Sequence, residues 1–501
     1  MRNSLLFILL MLGLAGRPAP AQTVRGSVFV DANRNGRRDA PEAALPGVLV
    51  SNGVDVVPTD ATGSYRLRAR PGRPVFLLKP RNYAPLHHEA WYQATGQRPT
   101  LRADFALVPV AEPAAFEAVL LGDIQAGDQD DLYHFNHLVT EELYDDPYAF
   151  SLTLGDVTFD QLAVYPRTKA SLRALGKPVY AVFGNHDQNY DVRDPAFADT
   201  TFQRHFGPTH YAWQYGAAHF IALNDVAYLG QKKYEGRVSD EQLAFLNNYL
   251  RHTDPQALHV VAMHIPLDEL SNRAALLAAL AGHPHVLFVT AHEHRNRRQF
   301  HAAGPGTTWE EVVVGATCGS WWQGEHDVFG IPSALMNCGA PKGYWKLAVQ
   351  ATGTYQLRYK ASQYPADFQV AIWTPEDQTW DPAQNLPADS TRAVAFINVF
   401  AGSARTQVQF RVDDGAWQPA ARTTTTPDPN VARLYQLQAR GRYPSPNASP
   451  LSGRAEPSPH LWRAALPTGL RPGTHKLEAR ATEPGSPPAK AYHVLTVLPG
   501  R

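Results

Sequence analysis

Pro178-Val179-Tyr180-Ala181-Val182-Phe183-Gly184-Asn185-His186-Asp187 joins an apolar run to three polar side chains. Val179 to Phe183 is short, β-branched and aromatic, as expected of a buried strand. Gly184 ends it, and an amide, an imidazole and a carboxylate follow. Side chains of that kind make poor packing material. They suit the carboxyl end of a strand, where ligands gather in α/β folds.

The same pattern recurs on both sides. Ala115–Leu121 leads to Gly122-Asp123-Ile124-Gln125, and Ala149–Leu154 to Gly155-Asp156. His259–Met263 leads to His264-Ile265-Pro266, and Val286–Thr290 to Ala291-His292-Glu293-His294. One Asp or His after a strand is ordinarily a helix cap or a satisfied turn. His264 before Ile-Pro and the His292/His294 pair are not caps, and repetition argues for a shared site. Between the motifs, Ala218–Leu223 predicts another strand. Ser239, with Gln242 three residues on, predicts a helix start carrying Leu243, Leu246 and Leu250 on its apolar face. Strands alternating with helices predict an α/β core.

Asp and His are ligands for Fe, Mn, Zn and Ni. A carboxylate such as Asp156 can bridge two divalent ions, and Asn185 can add a neutral oxygen. Two ions about 3.5–4 Å apart activate a hydroxide and neutralise a phosphoryl group during in-line displacement. His186, beside a ligand, is placed to act as general acid, with Asp187 as the expected orienter of its ring.

Gly122-Asp123, Gly155-Asp156, Gly184-Asn185-His186-Asp187, His264 and Ala291-His292-Glu293-His294 together resemble the calcineurin-like metallophosphoesterase family. The resemblance implies a four-layer α/β (α+β) core, two packed β-sheets flanked by helices, with the site at the strand ends. It implies one ion on Asp123, Asp156 and His294, a second on Asp156, Asn185, His264 and His292, and His186 as the catalytic histidine. Two departures stand out. Gln125 occupies a place that the family usually fills with His, so it either ligates through its amide oxygen or hydrogen-bonds a ligand. Ala291 replaces a usual Gly. The implied reaction is hydrolysis of a phosphomonoester or phosphodiester. The alternative is a surface binding module on a weakened phosphoesterase core, motivated by Gln125.

The flanks read as β. Strands over 24–110 are separated by turn residues, predicting an N-terminal sandwich over 22–111, before a catalytic domain over 112–361. Within it, Asp31, Asn33, Asn35, Gly36, Asp39 and Glu42 fit a calcium-loop spacing, although strands flank it. With Asp60–Tyr65 this segment resembles the Cna-B/SdrD-B-like modules of bacterial surface proteins. After Val312–Thr317 comes Cys318-Gly319-Ser320-Trp321-Trp322. Trp321 and Trp322, with Tyr344, are expected to wall the organic part of a substrate, or else to pack. This block resembles a bacterial exported subset of phosphoesterases with extra terminal β domains. Gly343–Val349 and Tyr355–Tyr359 predict a hairpin closing the catalytic sheet. Residues 362–501 predict an Ig-like domain, with 443–460 a Pro/Ser-rich loop.

The 501 residues carry 46 Lys+Arg against 46 Asp+Glu, a zero net charge that argues against a general nucleic-acid binder. Residues 1–21 read as a signal peptide: Met1-Arg2, an apolar Leu5–Leu14, then Ala19-Pro20-Ala21. A periplasmic or extracellular protein is expected, with no transmembrane segment in the mature chain. The two cysteines, Cys318 and Cys338, are either a disulfide or two buried thiols. Nucleotides, lipid head groups and cell-envelope phosphodiesters all remain open as substrates.

Overall fold

A computed structural model describes residues 23–70, 73–87, 91–93, 100–375, 386–387 and 393–499. The expected signal peptide lies outside them. Two sheets form the centre. The first runs Val179–Val182, Phe150–Leu154, Phe116–Leu121, Gly343–Val349, Tyr355–Ala361. The second runs Tyr211–Tyr215, Ala218–Ala222, Leu258–Ala262, Val286–Thr290, Thr307–Val313, Arg297–Gly304. In the first, Phe116–Leu121, Phe150–Leu154 and Val179–Val182 are parallel and Gly343–Val349 runs antiparallel to Phe116–Leu121; in the second, the four inner strands are parallel. Phe150–Leu154, Ala218–Ala222, Leu258–Ala262 and Val286–Thr290 are buried along their length, which is why they read as unbroken apolar runs.

Aromatic rings lock the sheets together. Tyr180 of the first stacks on Trp213 of the second at 4.0 Å, and Phe150 meets Phe220 edge-on at 5.1 Å. Helices occupy the crossovers, with Gln129–Phe135, Tyr165–Ala174 and Thr200–Phe206 in contact on one side and Asp240–Leu250 beside Arg273–Ala279 on the other. Ser239 caps its helix, its hydroxyl accepting from Gln242 N at 3.3 Å. This is an α/β core of two packed sheets between two β-rich flanking domains.

The N-terminal domain is a pair of small sheets joined to the core by aromatic packing, Trp91 on Tyr211 at 4.7 Å, and by polar contacts. His210 Nε2 lies 2.7 Å from Gly53 O, and Lys79 bridges Glu112 and Gln214 O at 2.5 and 2.9 Å. In the candidate calcium loop, Asp31 accepts from Asn35 N and Gly36 N. Glu42 accepts from Ala32 N and Asp39 N, while Asn33 and Asn35 donate to Asp39. The loop's own amides thus satisfy these oxygens.

The C-terminal domain pairs two sheets and adds a helix, Pro429–Ala439, that the β reading missed. Its signal stands in the sequence: Asp428 caps Asn430 N and Val431 N, and Pro429 takes the first turn. The helix and the 443–460 loop brace the tryptophan loop. Ser445 N donates to Glu325 at 2.7 Å and Gly324 N to Ser449 O at 2.9 Å, while Asn398 and Ser458 hold Cys338 O. Cys318 and Cys338 are both buried and both free, so no disulfide pins this loop. The Cys318 thiol instead lies 3.8 Å from His294 Nδ1, and burial pushes Cys338 up to about 11.

Candidate metal centre

The five strand ends converge. Asp123, Gln125, Asp156, His292 and His294 all have positive φ, between 41° and 70°. Such backbone costs of order 1–3 kcal/mol per residue and clusters where function requires it. Two glycines admit the crowding. A Cβ on Gly184 would fall 2.1 Å from Asp156 N, and one on Gly155 would fall 2.4 Å from His264 Nδ1.

Asp156 lies between two groups of side chains. Its Oδ2 is 3.1 Å from Gln125 Nε2 and 3.4 Å from His264 Nε2, and its Oδ1 accepts from His186 N at 2.8 Å. On one side, His294 Nε2 is 3.6 Å from Asp123 Oδ1 and 3.1 Å from Gln125 Nε2. On the other, His264 Nε2 is 2.9 Å from Asn185 Oδ1 and 3.2 Å from His292 Nδ1. Potential ligand atoms of Asp156, His264 and His292 lie within 4.8 Å of one another.

Several observations fit divalent cations. Asp123 Oδ1 and Gln125 Oε1 are buried without a hydrogen-bond partner. Burial pushes Asp123 well above the ordinary carboxylate range, a cost that a cation relieves. Burial holds His292 down to about 3 and His294 to about 4, leaving the neutral rings that ligate. His264 Nδ1 faces Leu154 O at 2.8 Å and His294 Nδ1 faces Gly319 O at 2.8 Å, so each ring turns Nε2 to the centre. Burial opposes charge on His264, but the Asp156 carboxylate outweighs it and pushes the ring up to about 10.

The expected acid group differs in one member. His186 Nδ1 lies 2.7 Å from Asp160 Oδ1, not against Asp187. The Asp187 carboxylate accepts from Val157 N, Thr158 N, Gly184 N and Tyr165 OH, which staples two strand-end loops together. Neighbouring residues of a 3₁₀ turn point apart, so adjacency in sequence misassigned the orienter. Asp160 was missed; its signal was a second carboxylate four residues beyond Asp156. Tyr190 was missed as well, and its hydroxyl holds Asn185 O at 2.6 Å.

The aromatic expectations divide. Trp321 is half-buried and lies against the His294 ring at 4.6 Å. Trp322 is buried, donating to Ile124 O at 3.0 Å, so it props the Asp123–Gln125 loop. Tyr344 is buried on its strand with its hydroxyl on Glu142, and it cannot wall a substrate.

Residues 117–296 match the model described as calcineurin-like phosphoesterase. Residues 32–110 match the N terminal of calcineurin-like phosphoesterase, and 311–486 match the C terminal. The chain belongs to the calcineurin-like phosphoesterases. It is a metal-dependent hydrolase of phosphate esters. The N-terminal segment is thus matched by this family's own N-terminal model.

Among solved structures, the chain is similar to the purple acid phosphatase PPD1 of yellow lupin, Lupinus luteus. The identity is 12% and the TM-score 0.37, over 63% of this chain and 67% of that one. It is also similar to PhoD, at 12% identity and TM-score 0.36 over 82% and 87%. No curated protein matches the chain.

Proposed function

We propose that this phosphoesterase is exported and hydrolyses a phosphomonoester or phosphodiester at a two-ion centre with Asp156 shared between the ions. The carrying observation is that one Asp156 oxygen touches both groups, Gln125 at 3.1 Å and His264 at 3.4 Å. Asp123, Gln125, Asp156 and His294 would hold one ion, and Asp156, Asn185, His264 and His292 the other. Their O/N donor set suits Mn, Fe, Zn or Ni. Bound ions would lend Lewis acidity to water and to the phosphoryl group.

The chain's own residues supply position and a proton. Asp160 accepts from His186 Nδ1 and fixes the ring, leaving Nε2 4.0 Å from Asp156 Oδ2 to hold a proton for the leaving oxygen. Phe159 packs on the same ring at 4.7 Å and restricts its rotation. Tyr190 and Gln188 hold Asn185 O, which aims the Asn185 amide at the centre.

Turnover of p-nitrophenyl phosphate and bis-p-nitrophenyl phosphate, with Mn²⁺, Fe²⁺, Zn²⁺ or Ni²⁺ supplied, tests the reading. Hydrolysis abolished by chelation and reduced by His186→Ala is expected. No turnover with any of the four ions would end it. Export follows from residues 1–21 alone, and the amino-terminal sequence of the mature protein checks it: a start at Gln22 supports export, and a retained Met1 refutes it.

A further inference from the structure

Two ordered turns beside the catalytic mouth hold apolar side chains out into water. The first spans 327–331. Asp327 Oδ1 accepts from Phe329 N at 2.8 Å and Ile331 N at 3.0 Å, while Lys342 anchors its base through Pro332 O at 2.8 Å. This turn presents Val328 and Phe329, which are 92% and 68% exposed. The second is the tip of the hairpin Val226–Gly230/Lys233–Gly236. Gln231 and Lys232 carry φ of 54° and 62°, the left-handed backbone that Asn-Gly usually supplies at such a turn. It presents Leu229, 60% exposed, beside the exposed Lys232 and Lys233.

Contacts tie both tips to the site. Lys232 Nζ lies 3.6 Å from Asp160 Oδ2, whose other oxygen holds His186. The exposed Phe159 packs on His186, and its Cβ lies 3.7 Å from where a Cβ on Gly127 would stand. Gly127 leads into the Gln129–Phe135 helix, whose exposed Tyr133 meets Phe329 O at 3.5 Å. A continuous run of contacts past His186 therefore links the hairpin tip that bears Leu229 to Phe159, Tyr133 and the turn that bears Val328 and Phe329, with two lysines at the hairpin end.

We infer that this run of residues docks the catalytic mouth on an anionic lipid surface, so that a phosphate ester carried by a lipid head group is the substrate class. The inference rests on the phosphoesterase reading for its substrate, but not for its docking. Separate convex tips suit a planar surface into which single side chains insert. Lys233 beside Leu229 complements anionic head groups, while Lys232 faces Asp160.

Flotation of the full chain with vesicles tests this, comparing phosphatidylcholine alone with phosphatidylcholine mixed with phosphatidylglycerol. The wild-type chain should float with the mixed vesicles. Val328→Ser with Phe329→Ser should lower its partition by about tenfold or more, because each side chain buries apolar area on insertion. Lys233→Ala should lower it by about fivefold on mixed vesicles and little on phosphatidylcholine. Both variants alter exposed residues, and unchanged thermal unfolding confirms their folding. Tyr492→Ser with Val494→Ser, an exposed pair in the C-terminal domain at 77% and 53%, should leave flotation unchanged.

No flotation of the wild-type chain overturns the inference. So does equal loss from the Tyr492/Val494 pair, which would mean indiscriminate adhesion. Turnover of p-nitrophenyl phosphate on the same preparation separates the two readings. Flotation without turnover removes the catalytic reading and keeps the docking surface. Turnover without flotation does the reverse.

Discussion

Asp160→Ala distinguishes the His186 partner that the structure places from the one that adjacency implied. The substitution removes the acceptor 2.7 Å from His186 Nδ1 and leaves the ring its Phe159 packing and the Asp156 carboxylate 4.0 Å from Nε2. A hydrogen bond to a charged group contributes roughly 1.5–3 kcal/mol. At 1.36 kcal/mol per decade, a loss of about 2 kcal/mol in the transition state lowers kcat about 30-fold. The loss should depend on the leaving group. An alkyl phosphate needs its departing oxygen protonated, so the full effect is expected there. p-Nitrophenolate departs with little help, and its kcat should fall only a few-fold, by about 3. The assay is a pair of kcat values for wild type and Asp160→Ala on the two esters, with metal content measured alongside. Asp187→Asn is the contrast. It disturbs four buried hydrogen bonds and should lower Tm, at a cost of roughly 2–4 kcal/mol, with no leaving-group dependence. If Asp187→Asn shows the leaving-group dependence and Asp160→Ala does not, the assignment of the orienter is wrong.

Other perturbations test the frame of the site. Gly184→Ala places a Cβ 2.1 Å from Asp156 N, where no flexible side chain can yield, so metal content and Tm should both fall; a variant with normal metal content would contradict the close approach. Gln125→His should shift metal preference toward ions favouring nitrogen, measured as the order of activation by Mn²⁺ and Zn²⁺; an unchanged order would make Gln125 a hydrogen-bonding neighbour and no ligand. Acid should destabilise the second sheet. His219 and His259, stacked at 5.1 Å, are pushed by burial from the ordinary 6.5 down to about 4 and about 3. The unfolded chain therefore takes up protons first, and stability present above pH 6.5 is lost as pH falls toward about 3–4. Tm measured against pH should decline over that window, and His259→Phe should flatten the decline.

The catalytic core was legible because parallel strands buried on both faces must be apolar throughout. A polar residue at their carboxyl ends then stands out. Asp123, Asp156, Asn185, His264, His292 and His294 were found that way, and the structure brings them together around Asp156. What sequence could not supply was direction. Asp187 follows His186, yet its carboxylate points to backbone amides across two loops, while Asp160 reaches His186 from another strand end through a left-handed turn. Trp321 and Trp322 are neighbours with opposite roles, one beside His294 and one beneath Ile124. Spacing allowed a Cys318–Cys338 bridge, but both thiols are free and hydrogen bonds from the C-terminal domain brace the Cys338 end of the loop. The Asp428-Pro429 helix start was readable and was overridden by the alternation of the strands around it.

Metal content per chain, measured by elemental analysis after reconstitution with Mn²⁺ or Zn²⁺, tests the shared role of Asp156 most directly. The wild-type chain is predicted to hold two ions and Asp156→Asn none, with phosphoesterase turnover lost in the variant. A single ion in the wild type, or two ions retained by Asp156→Asn, would contradict the account.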